Sequence, residues 1–258
     1  MFINQNKYTK HSYFMSLAAQ QAHKMLGKTG KNPAVGCVIV KNNHTISAGH
    51  TSINGRPHAE YNAIHSSKTK LNNSELYVTL EPCSHYGKTF PCVKAIIKNK
   101  IKRVFFSIKD PDLRSFNKST KEFKKFGIRV KNGILNSQTR YFYKSYIKSK
   151  KNTLPFVTAK MAISKDFYTN NKRKKWITNS YSRRRVQLMR SNHDCILTGI
   201  NTVIIDNPML TCRIFGMEKF SPARIILDKN LRVPIKSYIV QSAQKYRTFI
   251  FYNKINQK

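Results

Sequence analysis

Apolar residues recur along this chain in short runs whose period changes from segment to segment. Between residues 12 and 26, Tyr13, Phe14, Leu17, Ala18, Ala22, Met25 and Leu26 form a helical stripe that stops at Gly27. Residues 34–40 are a continuous run rich in β-branched side chains, turned by Lys41-Asn42-Asn43 into a second strand at 45–48. The pattern then predicts a helix from about His58, a strand at 76–80, a helix from about Cys92 and a strand at 104–108. A helix at 118–126 closed by Gly127, a strand at 128–130 and a helix at 137–147 follow. Strands alternating with helices predict a three-layer α/β/α domain. The basic, weakly apolar stretch 148–153 marks the expected boundary, giving domains 1–150 and 151–258. Beyond it the pattern predicts strands at 156–161, 195–198, 223–227, 238–240 and 248–252, with a helix at 182–191. The second domain is therefore also α/β.

Composition narrows the classes. The longest apolar runs are too short to span a bilayer, and the N-terminal MFINQNKYTKHSYF lacks the apolar core of a signal peptide, so the expectation is a soluble, cytoplasmic chain. Five cysteines are an odd number and favour thiols or metal ligands over a disulfide framework. The net charge of +37 comes from Lys and Arg spread over the whole chain, with Asn and Ile abundant in parallel. That distribution favours compositional drift over a nucleic-acid footprint, and an anionic small substrate is equally served by such a field.

Three segments carry chemistry: His58-Ala59-Glu60, Pro82-Cys83 and Pro91-Cys92. One imidazole and two thiolates make a three-ligand zinc set, leaving a fourth position for water as catalytic zinc requires. A helix N-terminus at Cys92 favours the thiolate. A spacing of two does not put His58 and Glu60 on one helical face, so Glu60 is expected to reach the water from the first turn rather than to bind the metal. Zinc lowers the pKa of its water towards 7, and a neighbouring carboxylate can move the protons that amine loss requires. A His-x-Glu followed by Pro-Cys-x-x-Cys marks zinc deaminases; here eight residues, 84–91, separate the cysteines. The competing reading is a closed structural site with His85 or His65 as fourth ligand, but a structural site has no use for the glutamate.

His58-Ala59-Glu60, the run Thr79-Leu80-Glu81-Pro82-Cys83-Ser84-His85-Tyr86-Gly87-Lys88-Thr89-Phe90-Pro91-Cys92, and Asn32-Pro33-Ala34-Val35-Gly36-Cys37-Val38 together resemble the bifunctional riboflavin-biosynthesis deaminase-reductases. The resemblance implies a cytidine-deaminase-like domain followed by a partial dihydrofolate-reductase-like α/β domain, with zinc in the first and NADPH for the second. It implies zinc on His58, Cys83 and Cys92, and Glu60 as proton shuttle. It places Asn32, His50, His85, Lys88, Thr89 and Asp110 against a phosphoribosyl-pyrimidine. The implied reaction is hydrolytic deamination of 2,5-diamino-6-(5-phosphoribosylamino)pyrimidin-4-one to 5-amino-6-(5-phosphoribosylamino)uracil. In the second half it places Ala162, Trp176 and Thr202 at the cofactor, and Arg190, Asp206, Leu210 and Arg213 at the substrate.

The chain departs from the family pattern in places. Asp112 stands where the family usually has Asn, and Phe116-Asn117-Lys118-Ser119 replaces a glycine-containing loop. Ser164-Lys165-Asp166-Phe167 replaces a Ser-Leu-Asp-Gly turn, and the following Ser/Gly-rich segment becomes Asn171-Lys172-Arg173-Lys174-Lys175. The sequence ends at Lys258, ahead of the family's glycine-rich closing segment, so a truncated reductase of nominal activity is expected. A tRNA-adenosine-type base deaminase and a decayed protein with structural zinc are the alternatives, and a homo-oligomer is left open.

Overall fold

Strand pairing grows from the hairpin that the asparagines predict. Strands β1 (Gly36–Lys41) and β2 (His44–His50) pair antiparallel across Asn42 and Asn43, both at positive φ, a conformation asparagine tolerates better than other side chains. The computed structural model describes residues 9–151, 154–169 and 176–253, and the chain divides into two units between Thr158 and Ala159.

In the first unit a five-stranded sheet runs β2-β1-β3-β4-β5, with β3 (Glu75–Leu80), β4 (Arg103–Ile108) and β5 (Arg129–Asn132). β3 is antiparallel to β1, and β4 and β5 run parallel to β3. Both faces are covered, and the two-residue period of each strand sorts its side chains between them. Cys37, Ile39, Leu76, Val78, Val104 and Phe106 join one core with Ala63, Ile96 and Phe123, which come from helices α2 (Ala59–His65), α3 (Cys92–Lys98) and α4 (Lys118–Lys125). Val38, Val40, Tyr77 and Phe105 face Phe14, Met15 and Ala18 of helix α1 (Lys10–His23). Two helices pack backbone against backbone on the hairpin: a Cβ on Gly36 would overlap the Ala18 carbonyl of α1, and one on Gly49 would overlap the main chain of α2 at Ala59 and Ala63.

The helix predicted at 137–147 is two helices, α5 (Asn136–Phe142) and α6 (Lys144–Lys151), separated at Tyr143. Tyr143 is buried and sends its hydroxyl to the Ala34 carbonyl at 2.9 Å while sharing a 2.6 Å hydrogen bond with Thr79. The basic stretch taken as a linker is helical as far as Lys151; Asn152 and Thr153 lie outside the described residues.

The second unit holds a parallel sheet, β6 (Cys195–Gly199), β7 (Ala223–Leu227) and β8 (Thr248–Phe251), with helices α7 (Ser180–Ser191), α8 (Ile200–Asp206) and α9 (Tyr238–Gln241). Ile200, Val203, Leu210, Ile226 and Ile239 form its core. Arg224 on the central strand is fully buried and donates to the carbonyls of Met209, Ile239 and Tyr246 and the hydroxyls of Ser242 and Thr248. Three expectations change here. Residues 156–161 form no strand; Val157 and Met161 are largely exposed, so no core recruits the run. The predicted strand at 238–240 is the helix α9, too short a run for periodicity to decide. α8 was not predicted.

Candidate active site

β1 and β3 run in opposite directions, so the start of β1 and the ends of β2, β3 and β4 meet at one edge of the sheet. Ligand sites in α/β sheets form outside the carboxyl ends of strands, and Asn32, His58, Glu60, Cys83, His85 and Asp110 line one cleft here. His58 is the N-cap of α2, with extended backbone. Cys83 lies three residues beyond β3, and Cys92 opens α3. The His58 Nδ1 atom is 3.5 Å from Cys83 Sγ and 3.4 Å from Cys92 Sγ, and the three donor atoms all lie within 4.8 Å of one another. Segment 84–91 leaves and returns to this point: the Cys92 N–H approaches Cys83 Sγ at 3.4 Å, and the Val93 N–H donates to the Cys83 carbonyl at 3.1 Å.

These contacts set the protonation of the cluster. Pairing with Cys92 pulls the Cys83 thiol down to about 4, whereas its role as donor to Cys83, together with burial, pushes Cys92 up. The Cys83 partner raises His58. Glu60, in the first turn of α2, is buried, and that burial lifts its carboxyl to about 7. A carboxyl poised there can both accept and return a proton.

An open cleft surrounds the cluster. Its walls include Asn32, His58, Glu60, Cys83, His85 and Asp110. Asn32 donates to the Gly55 carbonyl at 2.9 Å, and His85 Nδ1 meets Ser115 Oγ at 3.1 Å. Burial raises the Asp110 carboxyl, against the 3.0 Å hydrogen bond it accepts from the Asp112 N–H. Cys92, His50, Lys88 and Thr89 lie outside the lining. His50, at the end of β2, turns Nδ1 to the Thr51 carbonyl; Lys88 is exposed; Thr89 accepts from the Arg56 guanidinium.

The cleft also contains residues that sequence reasoning did not single out: Arg56, Glu81, Arg114, Tyr146 and Lys150. Glu81 stood inside the quoted cysteine motif and could have been found there. Its buried carboxylate accepts the N–H groups of Asp110 and Asn117, each at 3.2 Å, and the Ser119 hydroxyl at 2.7 Å. The loop where glycine was expected is served by Asn117, which takes a left-handed φ of 58° as the N-cap of α4. Asp112 is held well below the usual carboxylate range by Arg114 and then by Lys150, at 2.7 and 2.9 Å.

The second-unit residues lie on separate segments. Trp176 is exposed beneath the Arg183 guanidinium, 4.8 Å from its ring, and Arg184 and Arg185 are exposed on the same helix. Thr202 sits in α8, Asp206 ends it, and Ala162 lies in irregular chain. Leu210 is buried in the core of this unit. Arg190 donates to the Thr211 carbonyl at 2.9 Å; burial, and then the nearby Arg213, lower its pKa. The turn at Ser164 persists, with Phe167 at φ 67° in the place where glycine was expected. Residues 171–175 lie outside the described residues.

The donor chemistry fits zinc. One imidazole nitrogen and two sulfurs converge, and among the described residues no fourth His, Cys, Asp or Glu joins the group. His85 is engaged with Ser115, and His65 Nδ1 with the Tyr61 carbonyl, so neither closes the site.

Two family models match the chain: the cytidine and deoxycytidylate deaminase zinc-binding region over residues 8–108, and the RibD C-terminal domain over residues 155–258. A riboflavin biosynthesis protein RibD from Bacillus amyloliquefaciens is 41% identical over 224 residues, 86% of this chain and 60% of that protein. Its namesake from Aquifex aeolicus is 36% identical over 247 residues, 95% of this chain and 69% of that protein. The solved Thermotoga maritima diaminohydroxyphosphoribosylaminopyrimidine deaminase/5-amino-6-(5-phosphoribosylamino)uracil reductase is 35% identical. It aligns with a TM-score of 0.89 over 96% of this chain and 71% of that one. This chain thus spans less than two thirds of the Bacillus protein's length.

Proposed function

The chain belongs to the riboflavin-biosynthesis deaminase-reductase family, and from that premise we propose that its first unit is a zinc-dependent hydrolytic deaminase. Its substrate is 2,5-diamino-6-(5-phosphoribosylamino)pyrimidin-4-one and its products are 5-amino-6-(5-phosphoribosylamino)uracil and ammonia. The observation that carries this reading is the convergence of His58, Cys83 and Cys92, with His58, Cys83 and the buried carboxyl of Glu60 lining an open cleft.

Zinc bound there supplies Lewis acidity and acidifies water. His58 presents Nδ1, and Cys83 and Cys92 their sulfurs, as its ligands. Glu60 takes a proton from the attacking water and passes it to the ring nitrogen; a second proton goes through the same carboxyl to the departing amine, which leaves as ammonia. Asn32 and Asp110 offer the pyrimidine and ribose their hydrogen-bonding partners, with His50 at the adjoining strand end. His85, Lys88 and Thr89 serve the phosphate, on a loop that Arg56 holds through Thr89. The partner is a small phosphoribosyl-pyrimidine, with no role for nucleic acid, and the compartment is the cytoplasm. Among the described residues no helix is long and apolar enough to cross a membrane.

The match to the RibD C-terminal domain implies NADPH for the second unit. Ala162, Trp176 and Thr202 are its proposed contacts and Arg190, Asp206, Leu210 and Arg213 those of the ribosyl substrate.

The test is ammonia release from the diaminopyrimidine ribotide by zinc-replete protein, with NADPH oxidation followed alongside. Glu60→Gln keeps the shape and removes the proton carrier, so turnover falls by about 10²- to 10⁴-fold while zinc content stays unchanged. Undiminished turnover in that variant, or no ammonia from zinc-loaded wild type, overturns the assignment.

A further inference from the structure

Helix α6 lies beyond the residues that match the zinc-binding region, yet two of its side chains line the cleft. Tyr146 donates to Asp110 Oδ1 at 3.1 Å, and Lys150 donates to Asp112 Oδ2 at 2.9 Å. Residues four apart on a helix share a face, and here that face meets two carboxylates spaced i, i+2 on the β4–α4 loop. The two grips are joined through the Asp112 N–H, which donates to the same Asp110 oxygen at 3.0 Å.

The helix is itself fixed. Tyr143, one turn before Tyr146, is anchored to Ala34 and Thr79 at the cleft edge of the sheet, and Tyr146 and Ile147 pack on the main core. A lone exposed ion pair would be worth little. Lys150–Asp112 differs because the Asp112 side chain is 11% exposed and is gripped a second time, by Arg114. The loop extends the restraint to His85, another residue of the cleft, since Ser115 meets its Nδ1 atom.

We propose that α6 belongs to the deaminase site, with Tyr146 and Lys150 acting as positioning residues that clasp the Asp110–Asp112 segment and set how it meets the pyrimidine ribotide. The inference rests on the deaminase reading for its kinetic consequence but not for its structural one. Neither residue touches the reacting atoms. They fix the loop that does the recognising, so their loss appears in substrate affinity rather than in the chemical step.

The experiment uses the full, zinc-replete chain carrying Tyr146→Phe or Lys150→Met. Each variant raises KM about tenfold, the scale of one lost hydrogen bond to a charged group, while kcat stays within about twofold and zinc content is unchanged. Lys150→Arg, which keeps the pair with Asp112, restores the wild-type KM. Hydrogen exchange adds a readout that does not depend on turnover: amides of residues 112–117 exchange faster in both variants. Unchanged KM in both variants of an active enzyme overturns the proposal, and so does a fall in kcat with KM fixed. If wild type releases no ammonia, the functional assignment fails. The exchange measurement then still decides the clasp, and unchanged protection of residues 112–117 refutes it.

Discussion

The Glu81 carboxylate makes a quantitative demand on the first unit. It is 3% exposed and accepts three donors: two main-chain N–H groups, from Asp110 and Asn117, and the Ser119 hydroxyl. Glu81→Ala strips all three. A buried main-chain donor left unpaired costs about 1–3 kcal/mol, so two of them and a weaker term for the hydroxyl amount to about 3–6 kcal/mol. Glu81→Gln behaves differently, because the amide oxygen can take the place of Oε2 and keep both N–H bonds. The amide nitrogen then donates to Ser119, whose hydroxyl can rotate to accept. Only the charge assistance is lost, and the cost stays below about 1.5 kcal/mol. Urea unfolding of the zinc-replete chain, followed by circular dichroism, measures both variants against wild type. The gap between them is the prediction: at least about 1.5 kcal/mol, confined to the transition of the first unit. Two variants that agree within about 0.5 kcal/mol would refute the reasoning, since water would then be satisfying the loop amides as well as the carboxylate does.

Two further outcomes follow from charge placement. Arg224→Met leaves the Met209, Ile239 and Tyr246 carbonyls without their donor and destabilises the second unit by about 3–5 kcal/mol; urea denaturation shows that transition shifting while zinc content does not. Asp112 is depressed by Arg114 and Lys150, so its contribution to stability is fully present above the ordinary aspartate pKa of about 4 and fades as pH falls through the lower folded value. The stability difference between wild type and Asp112→Asn is therefore flat from pH 7 to about 4 and shrinks below that, which denaturation at stepped pH checks; a deficit that grows on acidification contradicts the assigned partners.

What the sequence disclosed and what it hid divide along physical lines. The central strands β1, β3 and β4 of the first unit were legible because they are buried on both faces and read as mostly apolar runs. The metal donors were legible because His58, Cys83 and Cys92 stand beside prolines and a glutamate whose chemistry has few other uses. Glu81, Tyr146 and Lys150 were not legible as site residues. Their roles come from hydrogen bonds spanning 29 residues or more, and no local period reports such pairings. Lys150 was also camouflaged by its lysine neighbours, so a helix lining the cleft looked like a linker. The isolated runs at 156–161 and 238–240 misled for the opposite reason: three to six apolar residues satisfy a strand pattern without any sheet to accept them. In the loop read as a departure because it lacks glycine, Asn117 occupies the left-handed region, which asparagine adopts more readily than most residues.

Gly49 bears on how such a site endures. With no side chain between β2 and α2, the distance from the sheet to the helix that carries Glu60 and begins at His58 is set by main chain touching main chain. A spacer made of backbone has the same thickness in every sequence that keeps the glycine. Core side chains elsewhere can then be exchanged for others of different volume without moving the ruler against which the donors are placed. This spacer also places a hydrogen, the one on Gly49 where every other residue would carry carbon, among the atoms of the architecture that nothing larger can replace.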